Sequence, residues 1–513
     1  MKTFAAIDVG SYELSMKIFE VSKQNGLREI DCIRHRLDLG TDTYATGKVR
    51  SGRIDELCRI LREYKEIMDG YKVGGYQAYG TSAIREMENT IIVLDQIEQR
   101  TGIKIEVLSN SEQRFLDYKS IASRGKVFNK IIEKETAILD IGGGSIQISL
   151  FAKDSLVTTQ NMKLGILRLQ DKISHLNLKP NQYENIIDEF ISSQLAVFKK
   201  LYLKDRKINN IIVVDDYLSA VVEHKMAGIE DAYIAVEDLE LLMKKVREKS
   251  IMEATRLLDM PEESIPLLYI SSVLLNRVAK VMGAGMVWVP GVTLCDGIAY
   301  EYAEKNKLIK ASHDFEQDII VSAQNISKRY MGSKRRSETL EKIALTIFDS
   351  MKEVHGLGKR ERLLLQLATI LHDCGKYISL VKLGECSYNI IMSTEIIGLS
   401  HMDRVIVANV VKYNHMDFNY QELLEQNVNL DREAYLKIAK LTAILKITNG
   451  LDRSHKQKFK DIKATLKDEQ LIIVIDTPVD ITLEKGLFYR RAEFFEEVYS
   501  VKPVIRQKKS GLS

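Results

Sequence analysis

The chain is poor in cysteine, carries little net charge and has no long uninterrupted apolar run. Its five cysteines are scattered and form no Cys-x-x-Cys pair, which predicts free thiols in a reducing compartment. A formal net charge of +3 is too small to indicate a nucleic-acid partner. No apolar run approaches the ~20 residues needed to cross a bilayer, and Asp8 and Glu13 stand where an export signal would be apolar. We therefore expect a cytoplasmic protein with neither a DNA nor a membrane partner.

The composition is that of an ordinary globular protein of several domains. A chain of 513 residues is expected to fold as about three or four domains. Hydrophobic residues make up 45% and charged residues 28%, which is typical of a soluble protein. The order of helix and strand patterns predicts four parts, which cover residues 1–125, 126–305, 306–460 and 461–513.

Two short loops carry the most information in the sequence. They read Asp8-Val9-Gly10-Ser11 and Asp140-Ile141-Gly142-Gly143-Gly144-Ser145, and each lies between two strand-like apolar runs. Glycine lets a backbone approach a ligand closely, and successive N–H groups in such a turn form an anion-binding concavity. A carboxylate at the end of a strand can hold a divalent cation against phosphate. The repeated unit therefore predicts two similar α/β domains and a phosphoanhydride ligand between them.

The pattern changes after about residue 305. Amphipathic helices follow one another with few strand signals, which predicts a separate helical domain; their patterns cover 340–351, 361–372, 404–412 and 433–449. From 461 onward a strand and a helix alternate again, which predicts a small αβ segment. We expect the basic end of the chain, Arg506-Gln507-Lys508-Lys509, to be a solvated tail.

The order of four motifs matches that of a known family. The motifs are Asp8-x-Gly10-Ser11, Gly80-Thr81-Ser82-Ala83-Ile84-Arg85-Glu86, Ser109-x-x-Glu112 and Asp140-Ile141-Gly142-Gly143-Gly144-Ser145. With them the chain resembles the exopolyphosphatase / guanosine pentaphosphate phosphohydrolase family. The resemblance implies an α/β fold of two duplicated actin-like (ribonuclease H-like) domains. The blocks Leu371-His372-Asp373-Cys374-Gly375-Lys376 and Leu451-Asp452-Arg453-Ser454-His455 resemble the helical His-Asp (HD) phosphohydrolase fold.

The resemblance also implies a reaction and a set of site residues. The family hydrolyses the terminal phosphoanhydride of polyphosphate or guanosine pentaphosphate with a divalent cation, here expected to be Mg²⁺ or Mn²⁺. Asp8 and Asp140 would hold the metal. The phosphate-binding residues would be Gly10, Ser11, Arg85, Gly142, Gly143, Gly144 and Ser145. The expected partner is a polyphosphate or guanosine polyphosphate ligand, and a homodimer is left open.

The chain departs from the family at the catalytic carboxylates. Where the family has a base glutamate this chain has Gln113, and where it has a metal- and water-binding glutamate this chain has Gln147. An amide can orient water but cannot accept its proton, and it is a weaker cation ligand. Glu112 could replace the base, but it points about 100° away on a helix. We expect Ser111 to cap that helix.

Other departures weaken the same site. The asparagine-serine pair after the first loop reads Tyr12-Glu13, and a later glycine-rich turn reads Val214-Asp215-Asp216-Tyr217-Leu218. A late arginine reads Cys295. In the helical domain His372-Asp373 lacks most of the partners that a catalytic metal needs, so His372 is expected to be structural.

Two functions remain open on the sequence. The first is a phosphohydrolase of the exopolyphosphatase type, with activity reduced by the two amides. The second is a catalytically impaired member that binds a polyphosphate, a nucleotide or a protein in the same cleft. Kinase chemistry on the same superfold is a third alternative, which the hydrolase-like motifs disfavour.

Overall fold

The computed structural model describes residues 2–24, 26–153, 155–176, 182–225, 233–311, 313–426, 430–458 and 462–508. The chain forms two compact units, Met1–Phe315 and Glu316–Ser513, called here the N-terminal and C-terminal units.

The first half of the N-terminal unit is one five-stranded sheet with helices. Its strand order is β3-β2-β1-β4-β5, with β1 antiparallel to β2 and parallel to β4. The strands are β1 (Lys2–Val9), β2 (Glu13–Ser22), β3 (Gly26–Arg36), β4 (Tyr76–Gly80) and β5 (Glu106–Val107). The helices are α1 (Leu39–Thr46), α2 (Ser51–Gly70), α3 (Ser82–Glu86), α4 (Thr90–Thr101), α5 (Asn110–Ala122) and α6 (Lys126–Ile132).

The second half repeats this topology. Its strand order is β10-β11-β9-β6-β7-β8, so β8-β7-β6-β9-β11 matches β3-β2-β1-β4-β5 and β10 is an added antiparallel edge. The strands are β6 (Thr136–Ile141), β7 (Ile146–Ala152), β8 (Ser155–Met162), β9 (Asn210–Val214), β10 (Tyr233–Ala235) and β11 (Met286–Trp288). The helices are α7 (Ile166–Ser174), α8 (Tyr183–Phe198), α9 (Asp216–Lys225), α10 (Val236–Arg247), α11 (Ile251–Leu258), α12 (Ser264–Met282) and α13 (Leu294–Lys305). The predicted α/β fold with a duplicated half is confirmed.

The two glycine loops are equivalent two-residue hairpins. In the first, the Gly10 N–H donates to Glu13 O at 3.0 Å, and Asp8 pairs with Ser15 across the strands. In the second, the Gly142 N–H donates to Ser145 O at 3.0 Å, and Asp140 pairs with Gln147. The register therefore places Asp8 and Asp140 at the same point of their sheets, two residues before the turn glycine.

Helix α12 is the core helix of the second half. By length and composition it is the one helix within the described ranges that could cross a bilayer, and 67% of its most apolar window is buried. Apolar side chains of α12 lie in a cluster with the strands β6, β7 and β9. The hydrophobicity of α12 is therefore used for packing inside this half.

The N-cap of helix α5 lies two residues earlier than the sequence predicts. Ser109, not Ser111, is its N-cap: the Glu112 N–H donates to Ser109 Oγ, and the Ser109 N–H donates to Glu112 Oε2 at 3.0 Å. This capping box satisfies two backbone donors at the helix start. Helix α13 packs against α5 at Gly297, where a Cβ would collide with Leu116 O of α5.

The N-terminal unit ends at Phe315, which belongs to an aromatic cluster around Tyr118 of α5. The hydroxyl of Tyr118 lies 2.8 Å from His313 Nε2, and its ring lies 5.1 Å from that of Phe315.

The C-terminal unit is largely helical and ends in a small sheet. Its helices are α14 (Phe315–Arg329), α15 (Lys334–Ser350), α16 (Lys352–His355), α17 (Lys359–Ile370), α18 (Leu383–Ser393), α19 (His401–His415), α20 (Tyr420–Gln426), α21 (Arg432–Leu451) and α22 (Thr482–Tyr499). The strands are β12 (Ile462–Lys467), β13 (Gln470–Asp476) and β14 (Lys502–Lys508), in the order β12-β13-β14.

The end of the chain is ordered where a solvated tail was expected. Arg506 pairs with Val474 and Lys508 with Asp476 as β14 runs parallel to β13. The prediction of a tail is therefore wrong for 506–508, because strand pairing satisfies backbone groups that local charge does not reveal. Lys509 lies outside the described residues.

Candidate active-site cleft

A cavity of about 150 Å³, room for several water molecules, lies between the two halves of the N-terminal unit. Both hairpins and α5 line it. The predicted site residues that it brings together are Asp8, Gly10, Ser11, Gln113, Asp140, Gly142 and Gly143. Glu112, Arg85, Gly144, Ser145 and Gln147 are not among the residues that line it.

A third carboxyl group joins the two predicted metal ligands. Asp117 of α5 is 4% exposed, lines the cavity and lies in hydrogen-bonding contact with Asp140. Burial, followed by the charges of Asp140 and Asp8, raises the pKa of Asp117 well above its usual range. Its Oδ2 is buried and accepts no hydrogen bond from the described residues.

The cavity carries an excess of carboxyl groups. Five line it, against two guanidinium groups; the carboxyl groups belong to Asp8, Glu13, Asp117, Asp140 and Asp215, and the guanidinium groups to Arg34 and Arg36. Like charges at this range repel strongly where water is scarce. The lining therefore disfavours an anion in the cavity unless positive charge offsets the carboxylates.

The second hairpin is held from behind by the start of α7. The Ile166 and Leu167 N–H groups donate to Gly142 O and Gly143 O, each at 3.0 Å. Gly165 makes this approach possible, since a Cβ there would collide with Gly143 O and with the hairpin backbone beyond it. Within the described chain, the N–H groups of Gly143 and Gly144 make no backbone hydrogen bond. They remain available to an anion.

Three hydroxyl groups meet behind the first hairpin. Ser11 Oγ lies 2.8 Å from Tyr44 Oη and 2.9 Å from Ser82 Oγ, and Tyr44 Oη lies 2.9 Å from Ser82 Oγ. Ser11 and Ser82 both line the cavity. The cluster positions the Ser11 hydroxyl and ties α1 and α3 to the hairpin.

Gln147 does not line the cavity and is hydrogen-bonded to an arginine. It is 2% exposed, and its Oε1 accepts a hydrogen bond from Arg114 Nε at 2.6 Å. Arg114 Nη1 also donates to Thr159 Oγ1 of β8. Although Gln147 stands opposite Asp140 in the sheet, Arg114 occupies its acceptor, so its amide is a packing partner of α5.

Gln113 and Arg85 form a pair at the edge of the cavity. Arg85 Nη1 donates to Leu108 O at 2.6 Å and to Gln113 Oε1 at 3.3 Å. The guanidinium is thus occupied with protein acceptors on α5 and the strand before it. It positions Gln113, which does line the cavity.

The remaining predicted residues have structural partners. Glu112 closes the capping box of α5, and Ser145 O accepts the hairpin hydrogen bond from Gly142. Gly144 O accepts from Arg168 Nε at 2.8 Å. A Cβ at Gly144 would collide with Tyr44 Oη, so glycine is needed for packing there.

Of the other departures from the expected pattern, Tyr12, Glu13 and Asp215 line the cavity, whereas Cys295 does not. Asp215 lines it, but its Oδ1 accepts the Leu218 N–H at 2.6 Å and its Oδ2 accepts the Ser271 hydroxyl at 2.7 Å. It serves as the cap of α9. The side chain of Asp216 lies outside the described residues. Cys295 is fully buried beside β1, and burial raises the pKa of its thiol.

Family models match both units of the chain. The Ppx/GppA phosphatase family matches residues 18–306, more than half of the chain. The chain belongs to the Ppx/GppA phosphatase family. A second model, Ppx/GppA phosphatase, domain III, matches residues 320–488 of the C-terminal unit.

Curated relatives of the chain are distant and often cover only part of their own length. A bifunctional 3-dehydroquinate synthase/phosphatase of Fusobacterium nucleatum is 25% identical over 35% of this chain and 27% of its own. Exopolyphosphatase 1 of Mycobacterium tuberculosis is 24% identical over 32% of this chain and 46% of its own. A guanosine-5'-triphosphate,3'-diphosphate pyrophosphatase of Photobacterium profundum is 19% identical over 80% of both chains. The chain thus matches about a quarter to a half of the first curated relatives and most of the last.

Solved structures of the family share the fold. A Ppx/GppA family member of Aquifex aeolicus has a TM-score of 0.50 at 18% identity and covers 60% of this chain and 98% of its own. An exopolyphosphatase of Cytophaga hutchinsonii has a TM-score of 0.50 at 18% identity and covers 60% of this chain and all of its own, 100%. The actin-like architecture predicted from the sequence is therefore confirmed.

Sequence reasoning missed three residues of this Ppx/GppA cleft. Asp117 lies four residues after Gln113, on the same face of α5, and that spacing is a signal that could have found it. Arg34 and Arg36 alternate on β3 and therefore face the same side of the strand. Two arginines that lie two residues apart on a strand beside a glycine hairpin are a second signal for residues that line the cavity.

In the C-terminal unit a buried arginine stands at the centre of the His372 region. Arg336 is 3% exposed and donates to Asn449 Oδ1 at 2.6 Å and to Asp452 Oδ2 at 3.1 Å. Its Nη1 lies 2.6 Å from His372 Nε2, while His372 Nδ1 lies 2.8 Å from Thr369 O. The guanidinium of Arg336 carries the positive charge at the centre of this network. Among the described residues no group of three or more His, Cys, Asp or Glu side chains is arranged to hold a metal ion.

Proposed function

We propose that this Ppx/GppA protein is a cation-dependent phosphohydrolase that releases terminal phosphate from inorganic polyphosphate or guanosine pentaphosphate in the cleft. One observation supports the proposal above the others. Asp8, Asp117 and Asp140 converge on a cavity whose two walls are equivalent glycine hairpins. The relatives whose names carry these substrates belong to the same family.

Two carboxylates at the cavity, those of Asp8 and Asp140, suit a hard divalent cation that takes its other ligands from water and phosphate, since no three such side chains of the described residues form a metal site by themselves. Mg²⁺ binds oxygen ligands, usually one or two protein carboxylates together with waters and substrate phosphates. Asp8 and Asp140 would hold it, with Asp117 beside them; the buried Oδ2 of Asp117 has no donor in the described protein. When bound, the cation neutralises charge on the transferred phosphoryl group.

The chain's own groups would bind the phosphates. The N–H group of Gly143 and the hydroxyl of Ser11 belong to residues that line the cavity, and the N–H group of Gly144 lies next along the same loop. Arg34 and Arg36 line its side and offer planar forks that match phosphate oxygens. We assign phosphate positioning to these groups and a supporting role to Arg85, which holds Gln113.

We assign proton transfer from the attacking water to the ionised form of Asp117, which a cation bound beside it would favour. Gln113 can orient water through its amide but cannot accept a proton. Asp117 lies one helical turn further along α5 and lines the same cavity, so the two side chains can share one water. A general base contributes about 10²–10⁴-fold to such a reaction.

The test is phosphate release from purified protein. Long-chain polyphosphate and guanosine pentaphosphate are each incubated with Mg²⁺ or Mn²⁺, and orthophosphate is measured over time. Release that depends on the cation and is lost in Asp140→Asn and Asp117→Asn supports the proposal. Background release with both substrates and both cations contradicts it.

A second function, binding without turnover, is favoured by one specific observation. Arg114 occupies the Oε1 acceptor of Gln147, so one of the two altered positions contributes nothing to the cavity. In that case polyphosphate would bind in the presence of Mg²⁺, and Asp140→Asn would abolish binding, while no orthophosphate is released. Calorimetry with the same protein sample separates this function from the first.

A further inference from the structure

A second cavity, of about 610 Å³, lies inside the C-terminal unit. It is bounded by the end of α19, the segment that leads to α20, and the helices α21 and α22. Its volume is in the range of about 300–1,000 Å³ that is usual for small-molecule sites. Its lining residues all belong to the C-terminal unit, so the cavity has no part in the cleft described above.

A buried lysine lines this cavity without a carboxylate partner. Lys446 of α21 is 8% exposed, and its Nζ donates to the backbone oxygen of Met416 at 2.7 Å. The same Nζ lies 5.6 Å from the ring centre of Phe494 on α22. Among the described residues no carboxylate oxygen lies within 4.0 Å of it. A buried ammonium held only by a carbonyl and a ring is costly.

A half-buried arginine is in the same situation. Arg491 of α22 donates from Nη1 to Asn414 O at 3.1 Å. Within the described part of the chain it has no carboxylate within 4.0 Å either. Two cations therefore face one cavity and both are bound by neutral protein acceptors.

Other lysines of the unit are paired in the ordinary way. Lys412 is 3% exposed and lies 2.7 Å from Glu422, and Lys437 lies 2.9 Å from Glu361 and 2.8 Å from Glu433. These two lysines are thus paired with carboxylates, as Lys446 is not.

The mouth of the cavity contains charges of both signs. Arg453 and Arg490 are exposed there, as are Asp417, Glu493 and Glu497. Glu497 accepts a hydrogen bond from the Tyr420 hydroxyl. The buried floor is cationic, and the carboxylates lie at the solvent-exposed rim.

The titration behaviour of the floor agrees with this geometry. Burial and the charge of Arg491 lower the pKa of Lys446 to about 8, against the opposing effect of Asp417. Burial and the charges of Arg453 and Arg336 lower the pKa of Arg491 to about 10. Neighbouring cations therefore disfavour the charged forms of Lys446 and Arg491, and a bound anion would offset this effect.

We propose that this cavity binds a small phosphate-bearing anion whose phosphate contacts Lys446 and Arg491. A guanidinium fork and an ammonium point charge together are the groups that proteins use for phosphate. The volume leaves room for an organic group on the phosphate, against the ring of Phe494. This site is independent of the cleft, since no residue of the N-terminal unit lines it.

The test is calorimetric titration of the full chain with inorganic pyrophosphate and with GDP in EDTA. EDTA removes the divalent cations that the cleft needs, so binding there is suppressed. We expect saturable one-to-one binding that is at least tenfold weaker in Lys446→Met and in Arg491→Met. Tighter binding of GDP than of pyrophosphate assigns the ligand as an organic phosphate, and equal binding assigns the phosphate alone.

The matched control is Lys440→Met. Lys440 lies on the same helix and also donates to a backbone carbonyl, His355 O at 2.7 Å, but it does not line the cavity. It should bind the probes like the wild type, and melting curves verify that all three variants fold. Absence of binding by the wild type, equal loss in Lys440→Met, or equally tight binding of citrate would overturn the proposal.

Discussion

Replacing Asp117 with asparagine should stabilise the cation-free protein while removing activity. Asp117 is almost fully buried beside Asp140 and Asp8, and their charges oppose its ionisation. An asparagine amide can donate a hydrogen bond to Asp140 without adding a charge. The cost of a buried polar group without a suitable partner is about 1–3 kcal/mol, and we expect Asp117→Asn to recover about this much. In a unit of this size that corresponds to a rise in melting temperature of about 2–6 °C.

The assay can follow the N-terminal unit alone. Trp288 is the single tryptophan of the chain and lies buried on β11, so its fluorescence reports unfolding of that unit. Thermal unfolding is measured in EDTA and again in Mg²⁺. The cation should raise the melting temperature of the wild type more than that of Asp117→Asn, because a ligand at a given concentration stabilises more when it binds more tightly.

For a second buried aspartate, Asp42, we expect replacement by asparagine to lower the stability of the unit. Asp42 is 5% exposed and is paired with Arg50 and Arg53, and the guanidinium of Arg50 offsets its burial, so the pKa of its carboxyl is lowered. Asp42→Asn should therefore destabilise by about 1.5–3 kcal/mol, the range for hydrogen bonds to charged groups. If Asp117→Asn is also destabilising in EDTA, the reasoning that the three aspartates repel one another is wrong.

Three further outcomes are expected. Gln147→Glu should give no gain in phosphate release, because the new carboxylate would pair with Arg114; a gain only in Gln147→Glu combined with Arg114→Ala would support this, and a gain in the single variant would contradict it. Gly165→Ala should displace the Gly143 loop and reduce phosphate release at least tenfold with the unit still folded, as read by fluorescence. Burial lowers the pKa of His415 to about 4, so the unfolded chain binds the extra proton as pH falls from about 6.5 to 4, and the C-terminal unit should lose up to about 1.4 kcal/mol per pH unit there. Circular dichroism in urea measures this loss, and His415→Gln should reduce it; an unchanged pH profile would refute the assignment.

Local sequence predicted the parts of the site that are made by short segments. An aspartate, a glycine and a following strand suffice to place Asp8 and Asp140 at the turn of equivalent hairpins, because register and turn length are local properties. The match of the two strand orders follows from the same repeat. The helical character of the C-terminal unit was visible in its periodicity for the same reason.

Contacts between segments far apart in the chain decided the rest. Asp117 reaches the cavity only because α5 lies across both hairpins, and Arg114 reaches Gln147 from the same helix. Arg85 is occupied by Leu108 O, a partner that its own motif does not contain. Side chains compete for partners in three dimensions, and the sequence lists the competitors without stating which pairs form. The sequence by itself therefore determined the two hairpins and their aspartates, whereas the tertiary structure decided which carboxyl groups and which amide line the cavity.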